Sequence, residues 1–143
     1  MNGIKYFVLR LSFLFIFLLA FCPACKDDFD SSIPYVEVNL SISLTNNNAL
    51  KITATPVYFN GGYGGVIVIY TGFSYMAYDA ACPYEIDNNC RFEADGDVIA
   101  TCPCCGSKYN LLSGGDVIQG PSSEPLLQYQ VRESSGYLYV TNN

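Results

Sequence analysis

Residues 101–110 read Thr-Cys-Pro-Cys-Cys-Gly-Ser-Lys-Tyr-Asn, which sets Cys102, Cys104 and Cys105 within one short stretch and follows them with Gly106. Thiols at this density suit sulfur chemistry more than packing, and a glycine beside them lets the backbone come close to a bound centre. A second stretch, Asp79-Ala80-Ala81-Cys82-Pro83-Tyr84-Glu85 with Cys90 beyond it, supplies a partner loop. Three uses are open to such a pair of loops. In an oxidising compartment the thiols form disulfides, and the odd number among Cys82, Cys90, Cys102, Cys104 and Cys105 leaves one free or bound to something else. Cys82–Cys102 is one bridge that would tie the two loops. A zinc site is the second use, because Cys102-x-x-Cys105 has the spacing of a zinc knuckle; only one such pair is present, where a zinc ribbon shows two. The third is a cluster. The chain contains no histidine, which removes Ser-His-Asp and Cys-His nucleophile systems and argues against an enzyme. Glu85, Asp87, Glu93, Asp95 and Asp97 scatter around the first loop and read as a solvated edge, not a hard-cation site.

The second box, Cys102-Pro103-Cys104-Cys105-Gly106-Ser107-Lys108-Tyr109, resembles the Cys-Pro-Cys-His-Gly-Ser-x-Tyr box of Rieske iron–sulfur proteins, and the likeness extends over roughly residues 65–140. The resemblance implies an all-β, antiparallel sandwich or small barrel with two cysteine-bearing hairpin loops. It implies a [2Fe–2S] centre with Cys82 and Cys102 on one iron, a disulfide between Cys104 and a first-loop cysteine, here Cys90, and hydroxyl donors to the cluster at Ser107 and Tyr109. It also implies a loop over the cluster, matched by Gly120-Pro121-Ser122-Ser123-Glu124-Pro125-Leu126. The two family histidines fall on Tyr84 and Cys105, and Cys90 lies three positions beyond the family's place for it. The candidate cofactor-binding set is therefore Cys82, Cys102, Cys105, Tyr84, Ser107 and Tyr109, with Cys82, Cys102 and Cys105 as metal ligands. Standard Cys2His2 ligation is excluded by the residues; an all-cysteine cluster would need Cys90 or Cys104 as a fourth thiolate and would carry more negative charge, disfavouring the added electron.

Residues 1–24 carry Lys5 and Arg10 and then an apolar run, the pattern of a secretory signal. Phe21-Cys22-Pro23-Ala24-Cys25-Lys26-Asp27-Asp28 resembles a bacterial lipoprotein signal, with Cys25, preceded by the small Ala24, as the lipidated residue. Residues 25–34 would be the tether and residues 35–143 the β-domain. Lys-Asp-Asp after Cys25 resembles tags that send lipoproteins to the outer membrane and its surface. Losing Lys5 and Arg10 makes the remaining chain more acidic than the net −6 of the whole sequence, so it repels nucleic acid and anionic headgroups, and acyl chains would make the attachment. The partners expected are the membrane, through that anchor, and a redox or other envelope protein.

The elements that must position the cysteines are strands. Apolar and polar residues alternate from residue 35 to 44, and a second strand is expected over residues 50–59, with Pro56 marking an edge or bulge. Asn60-Gly61-Gly62-Tyr63-Gly64-Gly65 is followed by no Lys-Ser or Lys-Thr pair opening a helix, so it is a flexible turn and not a phosphate loop. Residues 66–70 form a continuous apolar run that opens with the β-branched Val66, Ile67, Val68 and Ile69 and suits a central strand, and residues 73–78 return to deliver Cys82. Residues 91–93 start a hairpin through Asp95-Gly96 to residues 98–101. Residues 108–112 and 117–119 are short strands, and residues 127–132 and 137–141 close a hairpin around Ser134-Ser135-Gly136. The tyrosines in these strands, Tyr58, Tyr70, Tyr75, Tyr78, Tyr129, Tyr137 and Tyr139, are expected to pack. The expectation is an anchored electron-transfer module with an altered or vestigial cluster; the alternatives are a cluster-free, disulfide-stapled binding module or a four-cysteine zinc site.

Overall fold

A computed structural model describes residues 31–86, 90–94 and 98–142. Its strands are β1 (Asn39–Ser43), β2 (Pro56–Phe59), β3 (Val66–Tyr70), β4 (Tyr75–Asp79), β5 (Ile99–Thr101), β6 (Lys108–Asn110), β7 (Asp116–Gln119), β8 (Gln128–Ser134) and β9 (Tyr137–Thr141). They form a six-stranded sheet in the order β1-β9-β8-β4-β3-β2 and a three-stranded sheet in the order β5-β6-β7, with every pairing antiparallel. The all-β class and the two cysteine-bearing loops are as the resemblance implied.

Strand β3 explains its own sequence. Ile67 and Ile69 point into a core shared with Tyr78, Cys82, Phe92, Cys102, Tyr109, Leu111 and Leu126; Val66 and Val68 point into a second core with Leu50, Ala77, Tyr129, Leu138 and Val140. A strand buried on both faces has no place for the polar half of an alternating pattern, hence the unbroken Val-Ile-Val-Ile. Its first core is the floor under the cysteine loops.

The first two expected strands are shorter than the pattern suggested, and the one expected over residues 108–112 stops at Asn110. The first begins at Asn39, not at residue 35, because Tyr35 and Val36 are exposed. The second is broken: Asn48–Lys51 makes a 3-10 turn that plugs Leu50 into the core, Ala54 takes φ 61°, and only residues from Pro56 onward extend. Ile52, an apolar residue within that expected strand, is exposed. Pro56 opens an edge strand, where its missing N–H costs no ladder bond. Phe73 lies in the turn before β4 and is 98% exposed, while the closing hairpin turns at Ser135 and Gly136, both at positive φ, as a two-residue hairpin loop requires. Tyr78 and Tyr129 pack fully, whereas Tyr58 and Tyr137 stay partly exposed.

The glycine-rich turn at residues 61–65 is held, not flexible. Asp79, fully buried at the end of β4, accepts from the Tyr63 and Gly64 N–H groups at 2.7 and 2.8 Å, from the Ala81 N–H at 2.8 Å and from the Tyr129 hydroxyl at 2.6 Å. A Cβ at Gly62 would strike the Asp79 carboxylate and the Tyr129 hydroxyl, and one at Gly64 would strike the Ala81 backbone. One carboxylate thus ties the turn, β8 and the first cysteine loop together. The signal and tether residues up to 30, Cys25 included, lie outside the described residues, as do Asp87 and the Asp95-Gly96-Asp97 turn. Among the described residues no helix is long and apolar enough to cross a membrane.

Candidate thiol centre

Each cysteine loop is fastened across its own base. In the first, Ala81 pairs with Arg91 and the Cys82 N–H donates to the Cys90 carbonyl at 3.0 Å, so Cys82 and Cys90 face each other across a hairpin. In the second, which joins β5 to β6, the Cys102 N–H donates to the Ser107 carbonyl at 2.8 Å and the Gly106 N–H to the Cys102 carbonyl at 2.9 Å. Gly106 takes φ 74°, the left-handed conformation that closes so tight a turn. The loops meet because Glu93, on the return from the first, pairs with Thr101, on the way into the second, through N–H···O bonds of 3.0 and 2.9 Å.

This brings every downstream cysteine to one end of the fold. Cys90 and Cys104 form a disulfide that spans the two loops. Cys82, Cys102 and Cys105 are free thiols, and their sulfurs all lie within 4.8 Å of one another, with Cys82 Sγ 3.6 Å from Cys105 Sγ. Cys82 and Cys102 are fully buried; Cys105 is partly exposed. The Cys82–Cys102 bridge, one of the outcomes open from the sequence, is not formed. Tyr84 is 54% exposed, and its backbone N–H, with that of Glu85, serves the Cys82 sulfur.

The thiols differ in their readiness to ionise. Burial pushes Cys82 up to about 12, and the Cys102 and Cys105 thiols add to this, outweighing the two backbone donors. At Cys105 burial also opposes ionisation, yet the Ser107 side chain and backbone, then the neighbouring thiols, more than offset it, and its pKa lies below the ordinary thiol value. The Cys105 thiol donates to Ser107 Oγ at 3.1 Å, and once it ionises that hydroxyl can turn to donate.

The loop at residues 120–126 packs against Ser107. Ser122 N–H donates to Ser107 Oγ at 3.2 Å, Gly120 sits so close to Ser107 that a Cβ there would overlap its backbone, and Leu126 enters the first core. Glu124 at the loop's end accepts from Ser31 Oγ at 3.0 Å and Ser32 N–H at 2.7 Å. Tyr109, packed edge-on against Phe92 with ring centroids 4.8 Å apart, is fully buried, and its hydroxyl finds no partner among the described residues. Burial raises its pKa most; the nearby Ser122 and Ser107 hydroxyls, short of formal hydrogen-bond geometry, lower it in part and the Cys82 and Cys105 sulfurs raise it again, so the phenol stays protonated beside the thiols. Asp79, Ser122 and Glu124 were not singled out in the sequence; for Asp79 the available signal was a lone carboxylate between an apolar strand and Ala80-Ala81.

Ser107→Ala should therefore slow iodoacetamide labelling of Cys105 severalfold at neutral pH and move the midpoint of its pH–rate curve upward. The sign follows from removing a donor to the thiolate, the form that reacts; peptide mapping across pH 6–10 reads it.

No protein-family model matches the chain. The cytochrome b6-f complex iron–sulfur subunit of Chlorobaculum tepidum is 37% identical over 76 residues, which are 53% of this chain and 40% of that protein, so the match spans less than half of the relative's length. Among solved structures, the complex of reduced oxygenase and oxidized ferredoxin in carbazole 1,9a-dioxygenase contains a chain that superposes with a TM-score of 0.55 at 21% identity, covering 76% of this chain and 96% of that one. The Sphingomonas yanoikuyae B1 ferredoxin gives 0.52 at 17% identity, covering 74% and 100%, and the ferredoxin of carbazole 1,9a-dioxygenase from Nocardioides aromaticivorans IC177 gives 0.50 at 18%, covering 76% and 100%. At these identities the superpositions show a shared fold.

Proposed function

We propose that this chain, which carries a Rieske-type domain, is an electron-transfer module of the cell envelope, tethered through Cys25, with an iron centre held by thiolates in place of the Cys2His2 set. The observation that carries the reading is the convergence of the Cys82, Cys102 and Cys105 sulfurs within 4.8 Å of one another. The similarity to the Chlorobaculum protein, an iron–sulfur subunit, supports it.

The donor set does not fit a Cys2His2 [2Fe–2S] centre. Without histidine, the second iron of such a centre would depend on Cys105 and the phenol of Tyr84, which is exposed. Three converging thiols instead suit a soft ion or an all-thiolate centre. Around them, Ser107 can donate to sulfur, the Tyr109 hydroxyl is an unpartnered donor among the described residues, and Cys82 and Cys102 are buried in the core that also holds Phe92 and Leu126. An iron centre bound there would supply a one-electron carrier.

The test is metal analysis and visible spectroscopy on protein prepared without oxygen from its own envelope. Bound iron with a visible absorption that bleaches on dithionite is the expected result. A colourless, iron-free sample sinks the electron-transfer reading, zinc in its place pointing to a redox-silent thiolate site and no metal to a cluster-free module. In the same preparation the wild type should partition with membranes, and Cys25→Ala should move it to the soluble fraction.

A further inference from the structure

We propose that Cys102 is the exchange thiol of an internal thiol–disulfide relay, able to move the Cys90–Cys104 disulfide inward onto the three-thiol centre. The inference needs no bound metal and so stands apart from the proposed iron centre.

The observation is a continuous line of sulfur. Cys102 Sγ lies 3.5 Å from Cys90 Sγ, one end of the disulfide, and within 4.8 Å of both Cys82 Sγ and Cys105 Sγ. Cys102 thus belongs to two sulfur triads at once: with Cys82 and Cys105 on one side, and with Cys90 and Cys104 on the other. A structural disulfide in a core is ordinarily surrounded by inert groups; this one touches a free thiol, with two more beyond it. Burial of Cys90 and Cys102 shields the contact from outside reagents, while Cys104 is exposed and Cys105 partly so.

Exchange is an attack by a thiolate on a disulfide sulfur with loss of the other sulfur. In the first step the Cys102 thiolate attacks Cys90 Sγ; the Cys90–Cys104 bond breaks, a Cys90–Cys102 bond forms, and Cys104 leaves as a thiolate that takes a proton from water at the exposed edge. In the second, the thiolate of Cys105 or Cys82 attacks Cys102 Sγ; a Cys102–Cys105 or Cys82–Cys102 bond forms and Cys90 leaves as the thiolate. One disulfide is consumed and one is formed at each step, so no external oxidant or reductant is needed, and each attacking thiol gives up the proton that the departing sulfur regains. Because Cys90, Cys102 and Cys104 all lie within 4.8 Å of one another, Cys102 stands beside the disulfide bond, and the first step requires its side chain to turn onto the extension of that bond.

The consequence is a link between redox state and ligation. An inner disulfide removes two of the three converging thiols, so the same chain would exist as a metal-competent form, with Cys90–Cys104 closed, and a metal-incompetent one with the disulfide moved inward. Metal on Cys102 would in turn hold the outer disulfide in place.

Disulfide mapping tests this directly. Full-length protein, treated with a chelator under anaerobic conditions, is held at pH 8, quenched in acid at intervals, alkylated and mapped by peptide mass spectrometry. The expected result is the appearance of Cys90–Cys102 and then of inner disulfides, with loss of both in Cys102→Ser. A second arm uses Cys104→Ala with oxidised glutathione: Cys90 should pair with Cys102, and that product should be lost on adding C102S. A wild type that keeps Cys90–Cys104 alone throughout, or a C104A protein in which Cys90 carries only glutathione, overturns the relay. Iron content, measured on separate untreated protein, decides the electron-transfer reading independently of either arm.

Discussion

Asp79→Ala should lower the unfolding free energy by about 3–5 kcal/mol, a large part of the stability of a domain this size. The carboxylate is fully buried and accepts four hydrogen bonds, three from backbone N–H groups and one from Tyr129. Alanine leaves all four donors in the interior without a partner, and such donors keep their full desolvation cost. The Tyr129 hydroxyl cannot compensate by ionising, because burial, the largest cause of its raised pKa, remains when Asp79 is gone. Asn in place of Asp keeps the volume and an acceptor but turns part of the group into a donor facing donors, so it should recover only part of the loss. Urea unfolding with the disulfide intact measures both variants. A loss under about 1 kcal/mol for alanine would mean that water enters the site and that the carboxylate does not hold the turn.

The second large effect is expected on removing the Cys90–Cys104 bridge. Its partners are 14 positions apart, and closing a loop of that length in the unfolded chain is worth about 3 kcal/mol in the chain-entropy account. The Cys90→Ala and Cys104→Ala double variant should lose roughly that much in urea unfolding. The more telling readout is local. The bridge spans the two loops, but the Glu93–Thr101 pairing also joins them, so the domain should remain folded while Cys82, Cys102 and Cys105 become more accessible. Hydrogen exchange should rise at Cys102 and Gly106 before it rises in β3 and β4. Uniform loss of protection across both sheets would show that the bridge supports the whole domain.

Much of the architecture was legible in the residues because strand burial leaves a direct trace. The run at 66–70 reads as central since both faces of β3 are covered, and the closing hairpin at 137–141 is found as β9, paired with β8. Where the reading failed, local pattern and tertiary demand disagreed. Residues 50–59 have apolar members at strand spacing, but the core needed Leu50 alone, delivered by a tight turn, and Ile52 was left outside. The glycines at 61–65 were read as freedom, when their role is to let Asp79, Tyr129 and Ala81 approach the backbone.

By itself the sequence determined that the domain is all-β, that its chemistry is that of thiols, and that a histidine-ligated cluster is ruled out, because these follow from residue identity and short-range period. The Cys90–Cys104 pairing implied by the resemblance is the one the structure forms, but that Cys82 and Cys102 stay unbridged, that Cys105 ionises more easily than Cys82, and that Cys102 touches both the disulfide and the free thiols were decided only by the tertiary structure. The physical reason is that bond formation and pKa depend on separations of a few ångströms between groups far apart along the chain, and such separations are set by how the two loops are pinned to the shared floor beneath them.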